Sequence, residues 1–239
     1  MGGEPDASFS SMLVTAARAA IGQLLSPPFR SVLWKSLGLT IAMLIALWFV
    51  LELSVSTFLA PFLGPWPWVT TALAWLLGAG IVVGAPFLIA PVSSVFAGLF
   101  LDDVAEAVER RHYGEAAVGR ALPVGRSIRL AVKFLGLVVV ANLVALVLFL
   151  VLGLGVIVFF VANGYLLGRE YFQFAALRHV DRETAEALRA RHATTIFLAG
   201  MMIAAVLSVP VVNLVTPLFA AALMVHVFKR TAAAVPVSR

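Results

Sequence analysis

The chain has 239 residues, of which 62% are hydrophobic and only 12% charged, with a mean hydropathy of +1.04. Soluble domains carry about 25% charged residues, so a water-soluble fold of this length is excluded and a bilayer must be the solvent for much of the surface. The net charge of +5 flanks apolar runs, which reads as membrane orientation and lipid contact rather than nucleic-acid binding, and the absence of cysteine excludes disulfides, thiol catalysis and cysteine-based metal sites.

Residues 1–6 are small and acidic, without the basic start of a secretory signal, so the first span is expected to act as its own insertion signal. Residues 8–25 read as an amphipathic helix. Phe9, Met12, Leu13, Ala16, Ala17, Ala20, Ile21, Leu24 and Leu25 share one face, and Ser10, Arg18 and Gln23 lie off it. Such a helix either rests on the membrane surface or packs on the chain's own helices. Ser26 is a suitable N-cap, and Pro27 and Pro28 are tolerated in a first helical turn. A helix therefore starts there and supplies a first transmembrane segment over 31–59. Residues 61–68 hold Trp66 and Trp68 and no Lys or Arg, as expected of a loop at the outer interface.

A second transmembrane segment is expected over 69–90. Gly80 and Gly84 give it a spacing that permits close helix approach, while Pro86 and Pro91 are expected to kink or end it. Residues 92–112 then read as an amphipathic cytoplasmic helix. Val92, Val95, Phe96, Leu99, Val104 and Val108 lie on one face, and Asp102, Asp103, Glu106, Glu109 and Arg110 on the other.

Basic clusters at 110–133, 169–191 and 229–230 bracket two further apolar stretches. A single crossing by the first stretch would place the middle cluster outside, against the positive-inside tendency. Each stretch also has a break: Gly153-Leu154-Gly155 in one, Ser208-Val209-Pro210 in the other. The expected fold class is therefore an all-α integral membrane protein forming one membrane domain. Two full transmembrane helices are joined by two partly inserted hairpins, 134–162 and 193–228, with cytoplasmic helices over 165–192 and both termini cytoplasmic. Irregular backbone at membrane depth requires protein or a water-filled cavity around it, so a homo-oligomer, a dimer or larger, is expected.

Glu52 is the one charged residue deep in a span, where a carboxylate pairs with another helix, lines a pathway, carries a proton, or reaches external water. Glu106 and Glu109 lie a turn apart on a polar helix face and read as solvated, or as paired with Arg110 or the later arginines. His112, His179, His192 and His226 show no metal-ligand spacing. Asn142 and Asn213 read as interhelical hydrogen-bonding groups, and Asn213, between Pro210 and Pro217, as shaping a hairpin turn. No nucleophile–base pair and no Gly-x-x-x-x-Gly-Lys loop appears, so no enzyme activity, cofactor or ATP hydrolysis is expected.

Several blocks resemble the CysZ family of bacterial sulfate permeases. They are Ala90-Pro91 followed by 96–109, Gly153-Leu154-Gly155, Gly168-Arg169-Glu170-Tyr171-Phe172 with Ala187-Leu188-Arg189 downstream, and 210–217. They keep the family's order across about 25–230. The resemblance implies two spans and two partly inserted hairpins, homo-oligomers, and proton- or gradient-linked sulfate uptake into the bacterial cytoplasm for cysteine biosynthesis. It also implies a sulfate site at the start of the first membrane helix, on Pro28, Phe29, Arg30 and Ser31. There the family often has Pro-Gly-(Ile/Leu)-Arg-Arg; in this chain Pro28 stands for the glycine and Ser31 for the second arginine. A helix N-terminus and a planar guanidinium both suit an oxyanion; Arg30 can equally snorkel to a lipid phosphate. Glu52, Glu106, Glu109 and Asn213 are the candidate pathway or pairing residues. A non-transporting membrane scaffold is the alternative reading.

Overall fold

A computed structural model describes residues 6–63, 66–121, 123, 125, 155–209 and 212–233. Among them there is no strand. The helices are α1 (Asp6–Gln23), α2 (Pro27–Ser54), α3 (Ala60–Leu63), α4 (Pro67–Gly98), α5 (Leu101–Tyr113), α6 (Gly155–Leu177), α7 (Arg182–Arg191), α8 (Ala193–Leu207) and α9 (Thr216–Ala233).

Ser26 takes the extended conformation of an N-cap before α2, but its side chain makes no capping bond; Pro27 and Pro28, which have no N–H to leave orphaned, open the helix instead. α2 buries Phe29, Val32, Ser36 and Thr40, one stripe at helical spacing, and is otherwise largely bare beyond Thr40. It is clasped to α4 by a hydroxyl pair, Thr40 Oγ1 to Ser93 Oγ at 2.8 Å, and by the Trp48 ring, which lies 3.5 Å from where a Cβ on Gly78 would sit. α2 runs on through a π-helical turn, Val55–Leu59, directly after Glu52. α4 does not end at Pro86 or Pro91 but continues to Gly98, as membrane helices often do when neighbours satisfy the freed carbonyl. The helix expected to begin at 92 therefore begins at Leu101, after a break at Leu99 and Phe100.

α9 is the opposite case from α2. Every residue from Thr216 to Phe228 is buried, because α1, α4, α5, α6 and α8 surround it. A helix apolar on most sides is stable inside protein or lipid, and α9 takes the first. Among the described residues two helices are long and apolar enough to cross a membrane, Pro27–Phe58 and Val212–Ala233; the first is 6% buried over its most apolar window, the second 72%. α9 was expected as one arm of a partly inserted hairpin and is long enough to cross. α8, its other arm, has 15 residues, roughly 22 Å, short of a hydrocarbon core of ~30 Å. The expected hairpin at 134–162 lies mostly outside the described residues, as does Asn142. From Gly155 the chain is one helix to Leu177, without a break near 163.

α6 and α8 cross so closely that their backbones touch. A Cβ on Gly200 would fall 1.9 Å from the Gly164 carbonyl oxygen, and one on Gly168 2.5 Å from that of Ile196. Gly164 and Gly168 form the small-xxx-small pair of this crossing. Gly80, by contrast, has nothing within 4 Å. Gly200→Ala is expected to separate α6 from α8 and cost about 1–3 kcal/mol, read as a lowered melting temperature of the purified protein in detergent, whereas Gly80→Ala should leave that temperature unchanged in a monomer.

Candidate functional site

The charged residues gather at one end of the helix bundle, where α5 lies across the C-terminal ends of α6 and α9. α5 carries Asp102 and Asp103 in its first turn and Arg110, Arg111 and His112 in its last, matching its macrodipole, and ends at Gly114 with φ +84°. Its inner face buries Val104, Ala105 and Val108, and with them Glu109, which is 0% exposed.

Glu109 is fully bonded. Its Oε2 accepts from the Gly119 amide at 2.9 Å and from Arg178 Nη2 at 3.1 Å, and its Oε1 accepts from His179 Nε2 at 2.6 Å. Arg178, itself buried, also donates through Nη1 to Asp102, and its carbonyl accepts from the Arg120 amide at 2.8 Å. The His179 ring stacks on Phe228 of α9 at 5.2 Å. Gly119 leaves no room for a larger residue: a Cβ there would lie 2.7 Å from the His179 ring and 2.8 Å from Arg178 Cβ. Burial by itself pushes the Glu109 carboxyl up, but the bonds from His179, Gly119 and Arg178 outweigh it and hold the group at about 2.

A second polar layer joins α1, α5 and α9. Tyr113 Oη and His226 Nδ1 are 2.9 Å apart, the His112 ring meets His226 edge-on at 4.9 Å, and the Gln23 amide contacts His112. Arg230 donates to the Met12 carbonyl at 2.9 Å, and Lys229 to that of Ala117. Burial, aided by Arg111, holds His112 below the usual imidazole range.

Beside this layer an open cleft of about 620 Å³ separates the α1–α2 turn from α5. Gln23, Ser26, Pro27, Pro28 and Phe29 line one wall, and Asp103, Glu106, Arg110 and Arg111 the other. Arg110 is paired with Glu106 at 2.7 Å and Glu115 at 3.5 Å, both exposed pairs and therefore weak.

The structure brings Pro28, Phe29 and Glu106 to this cleft; Arg30 and Ser31 are exposed on the same first turn of α2. Phe29 is only 1% exposed, so its ring belongs to the core. Glu109 is not the solvated carboxylate that its polar neighbours suggested, because α5 turns it inward onto Arg178, one of the later arginines. Glu52 is exposed toward the other end of α2, remote from the cleft. Asn213 sits in the turn Val212–Val215, its amide bonded to the Val209 carbonyl at 2.8 Å and its buried Oδ1 without a hydrogen-bond partner. Sequence reasoning missed Arg178, His179, Asp102 and Gly119 as one cluster. Arg178 lies 59 residues from Gly119 and 76 from Asp102, and it is one of five arginines in its stretch, with nothing local to set it apart.

Residues 16–217 match the model of the family described as sulfate transporter CysZ/etoposide-induced protein 2.4. The chain belongs to this family. No curated protein matches it. The CysZ family is a transporter family rather than an enzyme family, and its membrane character agrees with the apolar helices. Within the matched range lie the cleft, α5 and the Glu109–Arg178 pair.

Removing one partner of a buried ion pair costs about 3–5 kcal/mol, because the other charge is left uncompensated. Arg178→Ala should therefore unfold the charged end at a temperature well below wild type, and Glu109→Gln with Arg178→Met should recover much of the loss in the same thermal assay. The depressed carboxyl also fixes a pH dependence. Stability linked to Glu109 is present above its ordinary value near 4.5 and is lost as pH falls toward 2. Chemical denaturation of wild type between pH 5 and pH 2 should lose on the order of 3 kcal/mol from this group, and Glu109→Gln should flatten the curve.

Proposed function

We propose that the chain carries sulfate, or a similar tetrahedral oxyanion, across a bacterial cytoplasmic membrane and so supplies sulfate for cysteine biosynthesis. The observation that carries the reading is the family match, joined to an open cleft at the start of α2. The family description couples a sulfate transporter with etoposide-induced protein 2.4, so membership fixes a membrane class, and the cargo is argued from the residues.

The anion site we propose is the first turn of α2. Pro27 and Pro28 carry no N–H, and the Arg30 amide is spent on the Ser26 carbonyl at 3.0 Å, so Phe29 offers the one free amide of that turn. Arg30 is exposed beside it with Ser31. A guanidinium supplies charge and paired donors to replace the water that sulfate sheds. Glu106 keeps Arg110 engaged across the cleft. In this reading the charged end of the bundle and both termini are cytoplasmic, α2 and α4 form the spanning pair, and α8 enters the membrane without crossing it. Glu52 and Asn213 stand near the far end, as pathway or pairing groups. The protein assembles as a homo-oligomer, with Gly80 on a face where no described residue comes within 4 Å of its Cβ position.

Labelled-sulfate flux into liposomes tests the reading: flux no higher than in empty liposomes leaves the scaffold alternative, which the bare outer length of α2 also suits. Losing a charged hydrogen bond costs about 1.5–3 kcal/mol, roughly 10- to 150-fold in affinity. Arg30→Ala should weaken calorimetric sulfate binding by that factor without unfolding the protein, and Arg30→Lys should restore only part of it. Equal binding by Arg30→Ala and wild type would remove Arg30 from the site.

A further inference from the structure

α1 has two apolar faces. Leu13, Ala16, Ala17 and Ala20 are buried, largely against α9. The opposite, outward stripe reads Val14, Arg18, Ile21 and, just past the helix end, Leu25, at spacings of four, three and four. Val14 is 45% exposed, Ile21 56% and Leu25 83%. A helix between protein and water turns polar residues outward; this one exposes Ser11 and Thr15 but also turns outward a stripe of aliphatic side chains with a cation among them. Trp34, 64% exposed a short way into α2, adds an indole at the depth where a span begins.

The charge of the same elbow is one-sided. From Ala7 to Leu51 the chain holds Arg18, Arg30 and Lys35 and no Asp or Glu. Among the described residues neither Arg18 nor Arg30 lies within ion-pair distance of a carboxylate, and Lys35 sits 5.5 Å over the Phe100 ring. Elsewhere at this end several cations are paired with carboxylates, Arg178 with Asp102 and Glu109, Arg110 with Glu106, Arg182 with Glu186.

We infer that the α1–α2 elbow is a docking surface for anionic phospholipid. Ile21, Leu25 and Val14 enter the acyl boundary, and Arg18 snorkels to the headgroup phosphates. α1 thus lies half in the bilayer interface while its other face packs on α9, which combines the two placements open to it from sequence. Net headgroup charge is what distinguishes the occupant: a zwitterionic lipid satisfies the aliphatic stripe equally but not the unpaired cations.

The inference does not use the sulfate reading, and Arg18 has no part in that site. The chain lacks cysteine, so Leu25→Cys carries a single bimane label in otherwise native protein, reconstituted with brominated phosphatidylglycerol or brominated phosphatidylcholine. Both lipids should quench the label, phosphatidylglycerol at lower mole fraction. Each cation near the surface is worth about a fivefold enrichment of anionic lipid, so Arg18→Gln should reduce the preference about fivefold and Arg18→Lys should keep it. Equal quenching by the two lipids, an unchanged preference in Arg18→Gln, or a label quenched only by aqueous iodide overturns the proposal. Arg18 is exposed, so these variants leave the core untouched.

Discussion

Glu109 and Arg178 hold the charged end of this protein together. A carboxylate and a guanidinium out of water cost several kcal/mol each, and their attraction offsets that only where most donors and lone pairs are engaged. Here the engagement comes from four parts of the chain: α5 supplies Glu109 and Asp102, the link after α5 supplies the Gly119 amide, the α6–α7 turn supplies Arg178 and His179, and Phe228 of α9 backs the histidine ring; the buried Arg178 Nε is left without a partner. Slight displacement of any one of them would strand a charge. The pair therefore fixes where α5 lies across the bundle, and with it the wall of the cleft that faces α2.

The rest of the fold is divided between two solvents. α9 is covered by protein along nearly its whole length, while α2 beyond Thr40 and the first part of α4 present aliphatic and aromatic side chains outward. Lipid is as apolar as leucine, so no hydrophobic gain drives helices together inside it. Association must come from close packing and from polar pairs. Both occur where expected: Gly164, Gly168 and Gly200 let α6 and α8 touch at the backbone, and Thr40 bonds Ser93 between α2 and α4. Hydroxyls that otherwise bond their own helix, as Ser36 does to the Val32 carbonyl, here reach a neighbour.

Membrane class, the opening of α2 at Pro27 and the break at 208–215 were legible because each has a local cause: composition, a paired proline, a proline-rich interruption. The gathering of charge at one end followed from the same clusters that orient the chain. Helix ends inside apolar runs were not legible. Pro86 and Pro91 are expected to kink or end the span, and α4 runs on to Gly98; a membrane helix tolerates proline where neighbouring groups can satisfy the freed carbonyl. The inward turn of Glu109 was hidden for another reason. On a helical wheel it shares a face with Asp102 and Glu106, and only the arrival of Arg178, 69 residues later, makes burial affordable. The Gly164–Gly168 pair was readable as a spacing, but its partner Gly200 is a single glycine in another helix.

The proline pair that opens α2 also sets what the proposed anion site can be. Helix N-termini usually hold oxyanions through several free amides backed by the macrodipole. α2 gives up two of those amides to Pro27 and Pro28, and that of Ser26 is spent on the Gln23 carbonyl at 2.8 Å. What is left is the Phe29 amide and side-chain groups. Selectivity among anions must then rest on Arg30, on the Ser31 hydroxyl and on the shape of the first turn rather than on a nest of backbone donors. Few fixed donors mean weak retention, and weak retention suits an entrance, because conduction needs a site that an ion can leave as readily as it arrives.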